Sequence, residues 1–66
     1  MRVQINGEWQ DLPDALSVGD LLAARSLPPR RVAVELNRDL LPRARYAETR
    51  LCDNDAVEIV TLVGGG

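Results

Sequence analysis

Met1-Arg2-Val3-Gln4-Ile5-Asn6-Gly7-Glu8-Trp9-Gln10-Asp11-Leu12 is the stretch on which the fold turns. Met1, Val3 and Ile5 alternate with Arg2, Gln4 and Asn6, so the chain opens as a strand with one apolar face. Asn6-Gly7 follows, and both residue types tolerate positive φ, which a tight hairpin turn of the primed type requires. Glu8 to Leu12 is then the returning strand, with Trp9 expected as a cap over the core edge. Leu12-Pro13-Asp14 breaks it.

Beyond the hairpin the period changes. Ser17 can cap a helix, and Asp20 at the third helical position offers a weaker form of the reciprocal capping box. Val18, Leu21 and Leu22 share one helical face. Leu27 precedes Pro28-Pro29 and is pushed toward extended geometry, so the helix spans two to three turns at most. A helix this short needs a sheet to lie on.

Strands then resume. Arg31 to Leu36 places Val32, Val34 and Leu36 inward and Ala33 and Glu35 outward. Asn37-Arg38-Asp39 is a turn, and Leu40-Leu41 starts a short strand that Pro42 ends. Arg43 to Glu48 suggests an irregular or single helical turn with Tyr46 half-buried. Asp53-Asn54-Asp55 can satisfy local backbone groups in a tight turn. Ala56 to Val63 is the strongest strand, with Val57, Ile59, Thr61 and Val63 on one face. Val60 and Leu62 on the other predict burial from both sides, as in a central strand. One helix after a hairpin and before further strands packs on one face of a sheet, which is an α+β arrangement. A ferredoxin-like plan would need a second helix.

Composition narrows the function. Sixty-six residues form one domain, and a chain of this size buries only about 60% of its unfolded surface. That leaves little mass for a deep pocket beside a core. There is no His and a single Cys, Cys52. The commonest general base, the Ser-His and Cys-His pairs, most zinc sites and any internal disulfide are thereby removed. Cys52 reads as a small apolar filler. Glu35, Asp39 and Glu58 read as solvated positions. All eight cations are Arg and the net charge is −2. No lysine amine can receive an acyl group, and a general nucleic-acid binder is disfavoured. Arg30-Arg31, Arg38, Arg43, Arg45 and Arg50 cluster in the middle of the sequence; they read first as a solvated face, with a docking patch for an acidic partner as the second reading. No apolar run is long enough for a membrane span, and nothing at the start resembles a signal peptide, so the expected compartment is the cytoplasm.

The sequence finishes on Gly64-Gly65-Gly66. Glycine lets a backbone lie where any Cβ would clash, and the run puts an α-carboxylate on a thin tether. Residues 1–63 are expected to form the body and 64–66 the tail. The tail carboxylate is the best candidate for the chemistry.

Val32-Ala33-Val34-Glu35-Leu36-Asn37, Leu40-Leu41-Pro42-Arg43, Asp53-Asn54-Asp55-Ala56-Val57-Glu58-Ile59-Val60 and Val63-Gly64-Gly65-Gly66 together resemble the ThiS family, sulfur carriers of thiamine biosynthesis with a ubiquitin-like β-grasp fold. The resemblance spans nearly the whole chain. Where the family often has Gly in the last turn, Asn54 stands, the next most tolerant residue for left-handed geometry. Where a Trp is common after the Pro-Arg pair, Tyr46 is the nearest aromatic.

The resemblance implies a fold of four to five strands in a mixed sheet with one short helix on one face. It implies a carrier rather than an enzyme, with no cofactor or metal of its own. A ThiF-like adenylyltransferase would use ATP to adenylate Gly66. A persulfide, drawn from a cysteine desulfurase, would displace AMP and leave a thiocarboxylate. A ThiG-like thiazole synthase would take the sulfur. Val63, Gly64 and Gly65 would thread the partner's channel. A MoaD-like carrier for molybdopterin shares this plan, and a β-grasp interaction module with an inert tail is the rival from another class.

Overall fold

The computed structural model describes residues 1–62. Five strands form one mixed sheet: β1 (Arg2–Ile5), β2 (Glu8–Asp11), β3 (Val32–Leu36), β4 (Asp39–Leu41) and β5 (Ala56–Thr61), with one helix, α1 (Val18–Ala24). Their spatial order is β2-β1-β5-β3-β4. β1 runs antiparallel to β2 and parallel to β5, while β3 is antiparallel to both β4 and β5. Two hairpins thus flank the last strand, which joins them. Single 3₁₀ turns at Pro29–Arg31 and Arg43–Arg45 complete the connections.

Each turn has a residue suited to it. Asn6 and Gly7 both adopt positive φ, at 50° and 86°, and the hairpin register Ile5↔Glu8 follows. Asn37 and Arg38 repeat the geometry at 52° and 73°, and Asn54 bends the final turn at 72°. Ser17 accepts from the Asp20 N–H at 3.0 Å, and Asp20 accepts from the Ser17 N–H at 3.4 Å. The capping box therefore forms, with its return bond long. At the other end Leu27 N–H donates to Leu22 C=O and Ser26 N–H to Ala23 C=O. This is a Schellman close, with Ser26 at φ 57° where glycine is preferred.

The core lies between α1 and one face of the sheet. Val3, Ile5, Val32, Val34 and Val57 come from strands, Val18, Leu21 and Leu22 from the helix, and Tyr46 and Leu51 from the loop between β4 and β5. That loop is pinned to the helix start: Val18 N–H donates to Thr49 C=O and Leu51 N–H to Leu16 C=O, both at 2.9 Å. Gly19 N–H donates to Tyr46 C=O, and a Cβ at Gly19 would stand 3.4 Å from Ala47 Cα. The helix and loop backbones meet there.

Four expectations are corrected. β5 is central, but only one of its faces is covered: Val60 is 58% and Leu62 48% exposed. A single two-turn helix can shield one side only. Trp9 is 47% exposed. Its register partner Gln4 points away from Val3 and Ile5, so the indole lies on the open face, with the Arg2 guanidinium 4.8 Å above its ring. Tyr46 is buried rather than half-buried. Cys52 is exposed rather than a filler, because Leu51 takes the inward place and the Cys52 N–H is held by the Asp55 carboxylate at 2.8 Å.

Candidate functional site

The site develops where β5 leaves the sheet. β5 pairs with β3 from Val57 to Thr61, and one further bond, from Leu62 N–H to Arg31 C=O at 2.8 Å, follows Thr61. The other edge of β5 is held by β1, at Gln4↔Ala56 and Ile5↔Val57. Asn6 extends that grip: its side chain accepts from the Ile59 N–H at 2.7 Å and donates to the Ile59 C=O at 3.3 Å. The chain thus reaches Leu62 from a strand secured on both sides. The expected tail residues Val63, Gly64, Gly65 and Gly66 lie outside the described residues, as does the boundary expected at residue 63.

Two features surround this exit. One is the open sheet face, where Ala33 stands opposite Val60, and Glu35 opposite both Glu58 and Leu40. Leu40 is 72% exposed, and Glu35 and Glu58 stand between it and Val60, so the open face mixes apolar and acidic side chains. The other is charge. Arg30 and Arg31 occupy the turn that receives the Leu62 bond, and the Arg43 guanidinium donates to Arg30 C=O at 3.3 Å. All three side chains are exposed. The opposite end of the sheet is of mixed charge: the Met1 amine pairs with Asp14 at 2.9 Å and the Arg2 N–H with Asp53 at 2.7 Å. The hydrogen bond to Asp14 raises the pKa of that amine above its ordinary range; burial opposes the shift, and the charges of Asp14, Asp53 and Asp11 add to it.

Among the described residues no cluster of three or more His, Cys, Asp or Glu could hold a metal ion. No helix among them is long and apolar enough to cross a membrane. Glu35, Asp39 and Glu58 are exposed, as expected. The arginines group in the sequence, but their spacing does not single out Arg30, Arg31 and Arg43 from Arg38, Arg45 and Arg50. The first three lie on two turns separated by a hairpin, and the antiparallel pairing of β3 with β4 brings the two turns to one end.

Comparison with known proteins places this architecture. The sequence profile of the ThiS family matches residues 3–66. The sulfur carrier protein ThiS of Bacillus subtilis is 42% identical over 67 residues, covering 97% of this chain and 98% of that protein. A thiazole synthase of Paramagnetospirillum magneticum is 38% identical over 66 residues; the chain spans only 20% of its length. The crystal structure of the thiamine biosynthesis protein ThiS from Geobacter metallireducens superposes with a TM-score of 0.85 at 35% identity, covering both chains completely. Five strands in this order, one helix on one face, and a family match over almost every residue agree: the chain belongs to the ThiS family, with its ubiquitin-like β-grasp fold.

Proposed function

We propose that this protein is a sulfur carrier for thiazole formation in thiamine biosynthesis, that Gly66 is its reactive residue, and that it catalyses nothing itself. The end-to-end similarity to the Bacillus carrier supports this reading most directly. The thiazole synthases that contain a similar segment support a ThiG-like enzyme as the acceptor of the sulfur.

The chemistry runs through the terminal carboxylate. A carboxylate oxygen is a poor leaving group, so it first attacks the α-phosphorus of ATP and expels pyrophosphate. The resulting acyl-adenylate reacts with a persulfide sulfur, and AMP departs. Reductive cleavage of the S–S bond by a thiol leaves the thiocarboxylate. A ThiF-like adenylyltransferase supplies the ATP site, the metal ion and the cationic groups that neutralise the phosphates. A cysteine desulfurase supplies the persulfide. The cytoplasm provides ATP and these partners together.

The carrier's own contribution is presentation. Val63 to Gly66, extended, reach roughly 13 Å beyond the body, far enough to enter another protein's active site. Gly65 and Gly66 have no side chains to obstruct a channel. The open face with Ala33, Leu40, Val60 and Leu62 offers a grip beside the tail.

The test is intact-mass spectrometry after incubation with ATP, the cognate adenylyltransferase and a persulfide source. The carrier should gain the mass difference between sulfur and oxygen. An unchanged mass with an active partner would leave a binding module with an inert tail. Activation by a molybdopterin-pathway enzyme alone would reassign the pathway.

A further inference from the structure

We propose that Arg30, Arg31 and Arg43 form a cationic collar at the root of the tail, and that it docks on an acidic rim around the channel of the adenylating enzyme. This rests on the carrier reading. The collar is built from two separate turns. Arg30 and Arg31 lie on the turn whose backbone bonds to Leu62, and Arg43 reaches across from the second turn to the Arg30 carbonyl.

Among the described residues no carboxylate pairs with these three cations; the ion pairs are Met1 with Asp14 and Arg45 with Glu48. Three exposed guanidiniums thus gather beside the exit of the central strand in a chain of net charge −2. The carboxylates of Asp14, Asp53 and Asp55 lie at the far end of the sheet, where β1 begins and the turn leads into β5. That end also carries the Met1 amine, Arg2 and Arg38, so its charge is mixed, whereas Arg30, Arg31 and Arg43 stand together at the end where β5 leaves the sheet.

Reach decides what this end can contact. With the tail extended, its carboxylate lies roughly 13 Å past Leu62. That is farther than an arginine side chain at the root can follow. The collar therefore meets the mouth of the channel, while the partner's own groups handle the phosphates of ATP. The shared chemistry is a guanidinium facing a protein carboxylate. Contacts of this kind at a rim act mainly on encounter rate and salt dependence. At physiological ionic strength the screening length is about 8 Å, so the effect is confined to the docking contact.

The experiment uses the full chain and its cognate adenylyltransferase, with AMP formation measured against carrier concentration at several salt concentrations. The variant R30Q/R31Q/R43Q should raise KM for the carrier on the order of tenfold, with kcat little changed, and flatten the salt dependence of kcat/KM. Arg38→Gln makes the same kind of charge change at the other end of β3 and should leave KM and salt slope near the wild type. Thermal melting checks that the variants fold; if the triple variant does not, R30Q and R31Q singly carry the test through their salt slopes. Unchanged KM and salt slope in the collar variants, or an equal loss in Arg38→Gln, would overturn the collar while leaving the carrier reading intact. A wild-type chain that the enzyme never activates would overturn both.

Discussion

The side-chain amide of Asn6 pairs with the backbone of Ile59 as a peptide group would, accepting from its N–H at 2.7 Å and donating to its C=O at 3.3 Å. Asn6 sits in the hairpin turn after β1, and its own N–H still donates to the Val57 C=O at 2.9 Å. Its side chain continues the parallel ladder past the end of the strand. Asn37 performs a similar task on the β3 side, accepting from the Ala56 N–H at 2.9 Å. Both are left-handed turn residues, so one residue type serves the turn and the neighbouring strand together.

Asn6→Gly isolates that contact, because glycine keeps the positive φ and loses only the amide. The Ile59 N–H is then left to water, and stability should fall by about 1 kcal/mol. Asn6→Ala should cost more, since it adds backbone strain. Denaturant melts of the two variants compare these terms directly, and equal stability of Asn6→Gly and wild type would show that the pairing contributes nothing.

Ser26 closes the helix at φ 57°. Ser26→Gly should stabilise the fold by about 0.5–1 kcal/mol, relief of left-handed strain outweighing the added freedom of the unfolded chain. An upward shift of the thermal midpoint is the expected result.

The Met1 amine gives a pH dependence with a defined sign. Its folded pKa is raised by the Asp14 hydrogen bond, so the protonated amine stabilises the fold below the ordinary α-amino range of roughly 7.7–8.0. The contribution declines as pH climbs through the raised value. Asp14→Asn should flatten this alkaline loss, as read from melting midpoints across pH 7 to 10 (a range chosen to bracket roughly that titration).

The chain without Gly65 and Gly66 should melt as the wild type does and fail to be adenylated. Gly65→Val should slow adenylation strongly while the fold stays intact. Pyrophosphate release reads the first property and circular dichroism the second. Normal turnover of both variants would remove the tail from the chemistry.

Local features were legible in the sequence because their causes are local. Asn6-Gly7, the Ser17 cap with Asp20 and the left-handed Asn54 depend on one or two residues each, and all three form as expected. The identity of the family was also legible, from motifs spread along the chain. Placement on the faces of the sheet was less so. Val60 and Leu62 are as apolar as buried residues, and only the presence of a single helix leaves them open. Trp9 reads as a cap over the core edge, yet its register partner Gln4 turns it outward. Leu51 and Cys52 are adjacent and similar in polarity, and the pin between Leu51 N–H and Leu16 C=O decides which goes inside. The arginine collar depends on strand pairing across the sheet, which no short window of sequence contains.

The strand that joins the two hairpins is also the last of the five to be synthesised. On the ribosome, the β1–β2 and β3–β4 hairpins emerge with no backbone pairing between them, and the sheet closes only when β5 arrives between them. Such long-range pairing makes folding a late, concerted event. A body able to present the segment after Leu62 therefore exists only in polypeptides whose translation has passed β5, and interrupted products offer no competing handle.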